Sequence, residues 1–294
     1  MAERIFDEAF MKRLENLSVR FASPVTTSYG GGRRSNARGS TVEFYNFREY
    51  NQGDDFRRID WNAYGRFGKF FIKLFLDERQ LSVHLLADTS ASMNFGEPTK
   101  HFAAMRLCAA FAYMSVRSQD RVSVMSLSGG GSVSVGGSVG SMPAVCRLLE
   151  QLEALTPEGE TDLAASVKSV RDIRPGDGIT VIFSDLMSEK GYKDAIDYLL
   201  YMHEQVVVVH ILSPGETAPE LEGQLRLTDS ENGAFCELTA GTSSLAFYRQ
   251  ALDAYRKELE EYCMKRGVFL LSVRSDEDIA AILPSRGFRA GIIQ

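Results

Sequence analysis

The chain has 294 residues, of which 44% are hydrophobic and 24% are charged, and its formal net charge is −6. This composition is typical of globular proteins and excludes a largely disordered or collagen-like chain. The apolar runs are far shorter than the ~20 residues of a membrane helix, and the N terminus lacks the apolar stretch of a signal peptide. We therefore expect a cytoplasmic protein with no direct membrane insertion.

Acidic and basic residues are unevenly distributed along the chain. Residues 1–80 contain 14 basic and 11 acidic side chains, whereas residues 81–294 contain 19 and 28. Nucleic-acid-binding proteins usually carry a basic stripe and have a high isoelectric point, but the isoelectric point of this sequence is about 5.4. The charge pattern therefore argues against a nucleic-acid partner.

The first section, residues 1–78, is predicted to contain an N-terminal helix followed by a β-rich region. Apolar residues recur at helical spacing at the start of the chain. Residues 23–40 are rich in Gly, Ser and Arg and predict a loop that is flexible or is ordered by a partner. Alternation within Lys69–Leu76 predicts a strand. The charged cluster at residues 48–66 is expected to clamp this section onto the rest of the chain, and a binding surface is the alternative.

The second section, residues 79–294, alternates between short apolar runs and amphipathic segments. The predicted strands are Leu81–Ala87, Arg121–Leu127, a hairpin strand within residues 129–140, Gly178–Phe183, Val206–Leu212 and Val268–Val273. The predicted helices are Thr99–Val116, three helices at about residues 141–155, 162–173 and 190–202, a long helix that includes residues 245–262, and one at about 276–283. Two further short strands are expected in the polar stretch before the long helix.

This order of elements predicts the fold class. Strands that are apolar throughout and are separated by amphipathic helices are typical of an α/β fold with a doubly wound, mainly parallel sheet. Sheets of this kind bind ligands at the carboxyl ends of their strands. The residues that directly follow each strand are therefore the first candidates for a functional site.

Hydroxyl and carboxylate side chains occupy these positions. Asp88, Ser90 and Ser92 follow the first strand of the sheet, Thr161 precedes a predicted helix, and Asp185 follows the strand at residues 178–183. Hard oxygen donors suit Mg²⁺, Mn²⁺ or Ca²⁺ and do not suit zinc or copper. The two serines lie two positions apart in a turn, so both hydroxyl groups can face one ion. The alternative interpretation is that such groups only cap the helices that follow.

These five residues resemble a known site. Their types and order are similar to those of the metal-ion-dependent adhesion site of von Willebrand factor type A domains, and the resemblance covers roughly residues 78–275. It implies a Rossmann-like sheet in which the two serines and the threonine ligate the ion, while the two aspartates hold it largely through water. It also implies that a carboxylate from a partner protein completes the coordination shell of the ion. The ion we expect is Mg²⁺, with Mn²⁺ or Ca²⁺ as alternatives.

The segment before the sheet narrows this resemblance. It contains the motifs Arg48-Glu49-Tyr50, Gly53-Asp54-Asp55, Arg57 and Ile59-Asp60-Trp61. These motifs resemble those of the bacterial family called domain of unknown function 58. Members of that family often occur beside MoxR-type AAA+ ATPases. The resemblance therefore implies an adaptor or co-chaperone whose partner is a MoxR-type ATPase, its client, or both.

Two other functions are left open by the residues. A Mg²⁺-dependent phosphatase of the haloacid dehalogenase type places an aspartate after the first strand, but it has a second aspartate where this chain has Ser90. Such a phosphatase also needs a lysine near the later aspartate, and Lys190 is the candidate. Asp162, the neighbour of Thr161, is expected to cap the helix that follows it. A structural scaffold with an unused metal site is the second alternative. Because the sequence contains neither a nucleophile-elbow triad nor an HExxH motif, we expect no enzyme and name no catalytic residue.

Overall fold

The computed structural model describes residues 5–16, 43–51, 54, 56–76, 81–175, 178–188, 190–219, 221 and 223–287. The loop predicted for residues 23–40 lies outside the described residues. The strands are β1 (Glu43–Glu49), β2 (Phe71–Leu76), β3 (Ser82–Asp88), β4 (Arg121–Ser128), β5 (Gly131–Val139), β6 (Gly178–Ser184), β7 (Gln205–Leu212), β8 (Gly223–Thr228), β9 (Phe235–Ala240) and β10 (Phe269–Arg274). The α-helices are α1 (Glu8–Asn16), α2 (Trp61–Phe67), α3 (Lys100–Arg117), α4 (Met142–Glu153), α5 (Leu163–Ser169), α6 (Lys193–Tyr201), α7 (Pro214–Thr217), α8 (Thr242–Arg266) and α9 (Ile279–Ile282).

The chain divides into two compact units, one of Met1–Ala22 with Leu81–Gln294 and one of Ser23–Gln80. The small unit ends at residue 80, close to the predicted boundary at residue 78, but α1 packs with the large unit and not with the β-rich region. Phe10 of α1 is buried in the core of that unit. The Arg106 guanidinium of α3 donates hydrogen bonds to the Ile5 carbonyl at 2.6 Å and to the Asp7 carboxylate at 2.9 Å.

The large unit is built on a six-stranded sheet with the strand order β10-β7-β6-β3-β4-β5. Neighbouring strands are parallel from β10 to β4, and β5 is antiparallel to β4 at one edge. The predicted doubly wound, mainly parallel α/β sheet is therefore confirmed, including the glycine-rich hairpin strand. Helices α5, α6 and α9 are shorter than predicted, and α5 ends because Val170 adopts an extended conformation.

The core lies on both faces of this sheet. Val83, Leu85 and Ala87 of β3 join a cluster that contains α3 and α4, whereas Leu86 joins a second cluster that contains α5, α6 and part of α8. Alternate residues of a strand point to opposite faces, so a strand that is covered on both faces is apolar at nearly every position. This explains why β3, β6 and β7 are visible in the sequence as nearly continuous apolar runs.

The order of the strands also determines where the candidate site residues lie. Strands β3 and β6 are neighbours in the sheet, with β4 on the far side of β3 and β7 on the far side of β6. The chain therefore continues from β3 to β4 in one direction across the sheet and from β6 to β7 in the other. Two loops that leave adjacent parallel strands in opposite directions open a crevice between them at the carboxyl edge of the sheet. Asp88 ends β3 and Asp185 directly follows β6, so the fold brings both predicted metal residues to this edge.

The small unit contains the antiparallel pair β1–β2 and the helix α2. The sequence predicts β2 but not α2, a helix of only seven residues that is rich in aromatic side chains. The Asp60 carboxylate begins this helix, because it accepts hydrogen bonds from the backbone N–H groups of Asn62 and Ala63 at 2.9 and 3.2 Å. The rings of Tyr64 and Phe70 stack with their centroids 4.4 Å apart.

Within the parts of the chain that the structure describes, none of the helices combines the length and the apolar character that are needed to cross a lipid bilayer.

Candidate metal centre

Asp88 lies at the centre of the predicted site and is fully buried. One of its carboxylate oxygens accepts a hydrogen bond from the Ser90 backbone N–H at 3.0 Å, and the other accepts one from the Ser184 hydroxyl at 2.6 Å. Burial, together with the negative charge of Asp185, raises the pKa of Asp88 to about 6. A cation close to the two carboxylates lowers this electrostatic cost, and the Lys100 ammonium, 2.6 Å from Asp185, is one such cation.

Ser90 and Ser92 present their hydroxyl groups side by side. Their Oγ atoms are 3.0 Å apart, because the chain enters a 3₁₀ turn at Ala91–Asn94 directly after β3. Ser90 is fully buried and Ser92 is half-buried. The hydroxyl groups of two serines separated by one residue therefore lie next to each other in this turn.

The loop that carries Thr161 is hydrogen-bonded to both of the other loops. The Ala91 N–H donates to the Gly159 carbonyl at 2.9 Å, and the Glu158 N–H donates to the Thr89 carbonyl at 2.8 Å. On the other side, the Ser188 hydroxyl donates to the Thr161 carbonyl at 2.8 Å. The three loops that carry the five predicted residues therefore form one connected edge.

Thr161 also has a carboxylate partner that the sequence did not indicate. Its N–H and its hydroxyl both donate to Glu231, one to each carboxylate oxygen and each at 3.0 Å. Glu231 lies in the turn between β8 and β9, 70 residues further along the chain. No local motif marks this glutamate, so only the tertiary structure reveals it.

Asp185 is paired with a buried lysine that was also missed. The Lys100 ammonium lies 2.6 Å from an oxygen of Asp185 and 2.6 Å from an oxygen of Glu216, and the Lys100 side chain is 2% exposed. Burial disfavours the charged form, but the two carboxylates outweigh this effect and raise the pKa of Lys100 above its ordinary value. The sequence gives little indication that this lysine is buried, because Lys100 is the first residue of α3 and lysines at helix ends are usually exposed.

Asp162 has the role that was expected for it. Its carboxylate accepts a hydrogen bond from the Ala165 N–H at 3.0 Å and so caps α5. Its second oxygen pairs with Lys190, and this hydrogen bond, together with the one from the Ala165 N–H, holds the pKa of Asp162 below its ordinary value. Lys190, the candidate lysine of a phosphatase, therefore contacts Asp162.

The donor set fits a hard divalent ion. It consists of three hydroxyl groups and two carboxylates, all of them oxygen ligands of the kind that Mg²⁺ takes. Within the described ranges, no group of three or more His, Cys, Asp or Glu side chains is arranged to hold a metal, so the hydroxyl groups are essential to the fit. Ser90, Ser92 and Thr161 would ligate the ion. The oxygens of Asp88 and Asp185 already accept hydrogen bonds, which suits a role through water.

Comparison with known proteins places the chain in a family. The family described as "Protein of unknown function DUF58" matches residues 46–259. The chain belongs to the DUF58 family. This match confirms the resemblance that rested on the motifs between residues 48 and 61.

Relatives of this chain include uncharacterized mycobacterial proteins. The uncharacterized proteins Rv1480 of Mycobacterium tuberculosis (strain ATCC 25618 / H37Rv) and Mb1516 of Mycobacterium bovis are each 25% identical to this chain over 235 residues, which is 79% of this chain and 74% of theirs. Among solved structures, BatB from Bacteroides thetaiotaomicron matches with a TM-score of 0.44 and 13% identity, covering 71% of this chain and 98% of its own. The VWA domain of SpRpn10 matches with a TM-score of 0.39 and 10% identity, covering 71% of this chain and 95% of its own.

The motif residues of the DUF58 segment make structural contacts within the small unit. Arg48 donates to the Asp54 carboxylate at 2.9 Å, and the Asn51 N–H donates to the other oxygen of Asp54 at 2.8 Å. The backbone hydrogen bond and Arg48 hold the pKa of Asp54 below its ordinary value. These contacts, like the helix cap made by Asp60, support a structural network inside this unit.

The neighbouring strand β7 supplies a pH-dependent group. His210 is buried, and burial lowers its pKa to about 4, although Asp185 opposes the shift. An unfolded histidine titrates near pH 6.5, so between pH 6.5 and 4 the unfolded chain binds more protons at this residue than the folded chain does. The contribution of His210 to stability is therefore complete above pH 6.5 and is lost as the pH falls towards 4.

We expect this loss to disappear in His210→Asn. Urea unfolding at pH 7 and pH 5 measures it as the difference in the free energy of unfolding between the two pH values, which should be smaller in the variant than in the wild type. The raised pKa of Asp88 gives stability a pH dependence of the opposite sign to that of His210. Because Asp88 is present in both proteins, its contribution cancels when the two are compared. The exposed His203→Asn is the matched control and should keep the wild-type slope. An equal slope in His210→Asn would show that the buried imidazole is not the titrating group.

Proposed function

We propose that this DUF58 protein is a metal-dependent protein-interaction module. In this proposal Ser90, Ser92 and Thr161 hold Mg²⁺ at the carboxyl edge of the sheet, Asp88 and Asp185 hold it largely through water, and Mn²⁺ or Ca²⁺ are the alternative ions. A carboxylate of a partner protein completes the shell. The observation that supports the proposal most strongly is the connected edge of three loops, with paired serine hydroxyls next to a buried aspartate.

The proposed partner is a MoxR-type AAA+ ATPase, its client, or both, with this chain as the adaptor or co-chaperone in the cytoplasm. The resemblance to the DUF58 family supports this assignment. Neutral hydroxyl ligands leave the bound ion with most of its positive charge, so it would attract an acidic side chain of the partner.

We further propose that the chain is not an enzyme. A phosphatase would need a lysine that reaches the substrate beside the later aspartate. Lys190 pairs with Asp162, and the lysine that does contact Asp185 is Lys100, whose side chain is 2% exposed and is held between two carboxylates. A phosphate ester should therefore not be turned over in the presence of Mg²⁺.

The first test is a thermal melt of metal-stripped protein with and without Mg²⁺. An ion that binds only the folded state stabilises it by about 1.4 kcal/mol at roughly ten times its Kd, which corresponds to a rise of a few degrees in Tm for a domain of this size. We expect this rise in the wild type and not in the double variant Ser90→Ala with Ser92→Ala, nor in Asp88→Ala.

The matched control replaces two exposed serines of β5, Ser134→Ala with Ser138→Ala. It should keep the full response to Mg²⁺. The same set of proteins, immobilised and offered a MoxR-type ATPase, tests the partner: capture should require Mg²⁺, be reversed by a chelator and fail with the Ser90/Ser92 double variant. Equal Tm shifts in the wild type and in that variant would refute the metal site. Capture that is indifferent to the chelator would refute its role in binding.

A further inference from the structure

The turn between β8 and β9 presents Glu231 in a fixed conformation. The Asp229 carboxylate accepts a hydrogen bond from the Glu231 N–H at 2.8 Å, and the Asp229 N–H donates to the Ala234 carbonyl at 2.7 Å. Gly233 allows the turn to close, because its φ of 72° lies in the left-handed region that favours glycine. These hydrogen bonds therefore hold the backbone of Glu231 at the tip of the hairpin.

The contact that the tip makes is specific. Both oxygens of the Glu231 carboxylate accept hydrogen bonds from Thr161, one from its N–H and one from its hydroxyl, at 3.0 Å each. Thr161, one of the five residues proposed to surround the ion, is thus already bound to a carboxylate that lies 70 residues further along the chain. Carboxylate oxygens are among the preferred ligands of Mg²⁺ and related ions.

We propose that Glu231 is an internal ligand of this centre, which occupies the place of the partner's carboxylate until a partner displaces it. The inference rests on the proposed function. A ligand that is tethered in the same chain has a high effective concentration at the site. The apparent affinity for a partner would therefore equal the intrinsic affinity multiplied by the fraction of molecules in which the hairpin tip is displaced. The β8–β9 hairpin would set the threshold for binding an acidic partner.

The test measures Mn²⁺ binding to the full chain by electron paramagnetic resonance, which distinguishes free from bound ion. We expect Glu231→Ala to weaken the affinity for Mn²⁺ by about tenfold, a typical effect of removing a group close to a metal. Millimolar acetate should restore the affinity of Glu231→Ala and leave that of the wild type unchanged, since only the variant lacks a carboxylate. The control Glu237→Ala removes the same charge from an exposed position of the same hairpin and should keep wild-type affinity with or without acetate.

A second variant and a second readout protect the test against a misfolded hairpin. Glu231→Gln keeps the shape of the side chain and should also lose affinity and recover with acetate. Hydrogen exchange should show protection of the Thr161 amide in the metal-free wild type and its loss in Glu231→Ala. An unprotected Thr161 amide in the wild type would overturn the inference.

The outcomes separate this inference from the proposed function. If the wild type binds Mn²⁺ through Ser90 and Ser92, but Glu231→Ala and Glu237→Ala have equal affinities and acetate has no effect on either, the internal ligand is refuted and the metal site stands. If the wild type does not bind Mn²⁺, both are refuted. Recovery by acetate in the Glu231 variants alone supports both.

Discussion

The substitution Lys100→Met is expected to lower the free energy of unfolding by about 3–5 kcal/mol, because it leaves the buried Asp185 and the largely buried Glu216 without their cation. The ammonium lies 2.6 Å from both Asp185 and Glu216, whose side chains are 4% and 14% exposed. Methionine fills a similar volume, so the loss would report the charge and not a cavity. Urea unfolding of the metal-free protein at pH 7 measures it.

The control for this prediction is Lys193→Met, which breaks an ion pair with Glu258 whose two side chains are 50% and 59% exposed. Water screens an exposed pair, so this change should cost less than about 1 kcal/mol. Adding Asp185→Asn to Lys100→Met should recover part of the loss, since it removes one of the unpaired charges. If Lys100→Met is no more costly than Lys193→Met, Lys100 does not compensate a buried charge.

The second large effect is expected for Phe111→Ala, about 3–5 kcal/mol, which is typical of truncating a buried phenylalanine. Phe111 of α3 and Phe183 of β6 are fully buried and meet edge to face, with ring centroids 5.5 Å apart. Phe183 directly precedes Ser184, which donates a hydrogen bond to Asp88. We therefore expect the substitution to weaken the response to Mg²⁺ as well as the fold.

Denaturant unfolding and the Mg²⁺ melt measure the two effects on the same protein. Phe247→Ala is the control, because Phe247 of α8 is 74% exposed and its truncation should change stability by less than about 0.5 kcal/mol. A loss for Phe111→Ala below about 1 kcal/mol would mean that this contact does not join α3 to the sheet as tightly as the structure indicates.

The elements of the large unit were predictable from the sequence, whereas those of the small unit were predictable only in part. Strands β3, β6 and β7 are covered on both faces, so a run such as Val206–Leu212 is almost entirely apolar. Helix α2 escaped prediction because its seven residues are too few for a clear helical period. Helix α1 was predicted, but its packing with the large unit was not. The spacing of apolar residues shows that a helix has an apolar face, but it does not show which element that face contacts.

What the sequence by itself determined is the strand–helix alternation and the five residues Asp88, Ser90, Ser92, Thr161 and Asp185 at strand and loop ends. Both are local patterns, and the rule that parallel strands end at one edge turns them into a candidate site. Only the tertiary structure decided which charges meet that site. Lys100 is 85 residues from Asp185 and 116 from Glu216, and Glu231 is 70 from Thr161. Such pairs arise from how helices and a hairpin pack on the sheet, and no spacing along the chain records that packing.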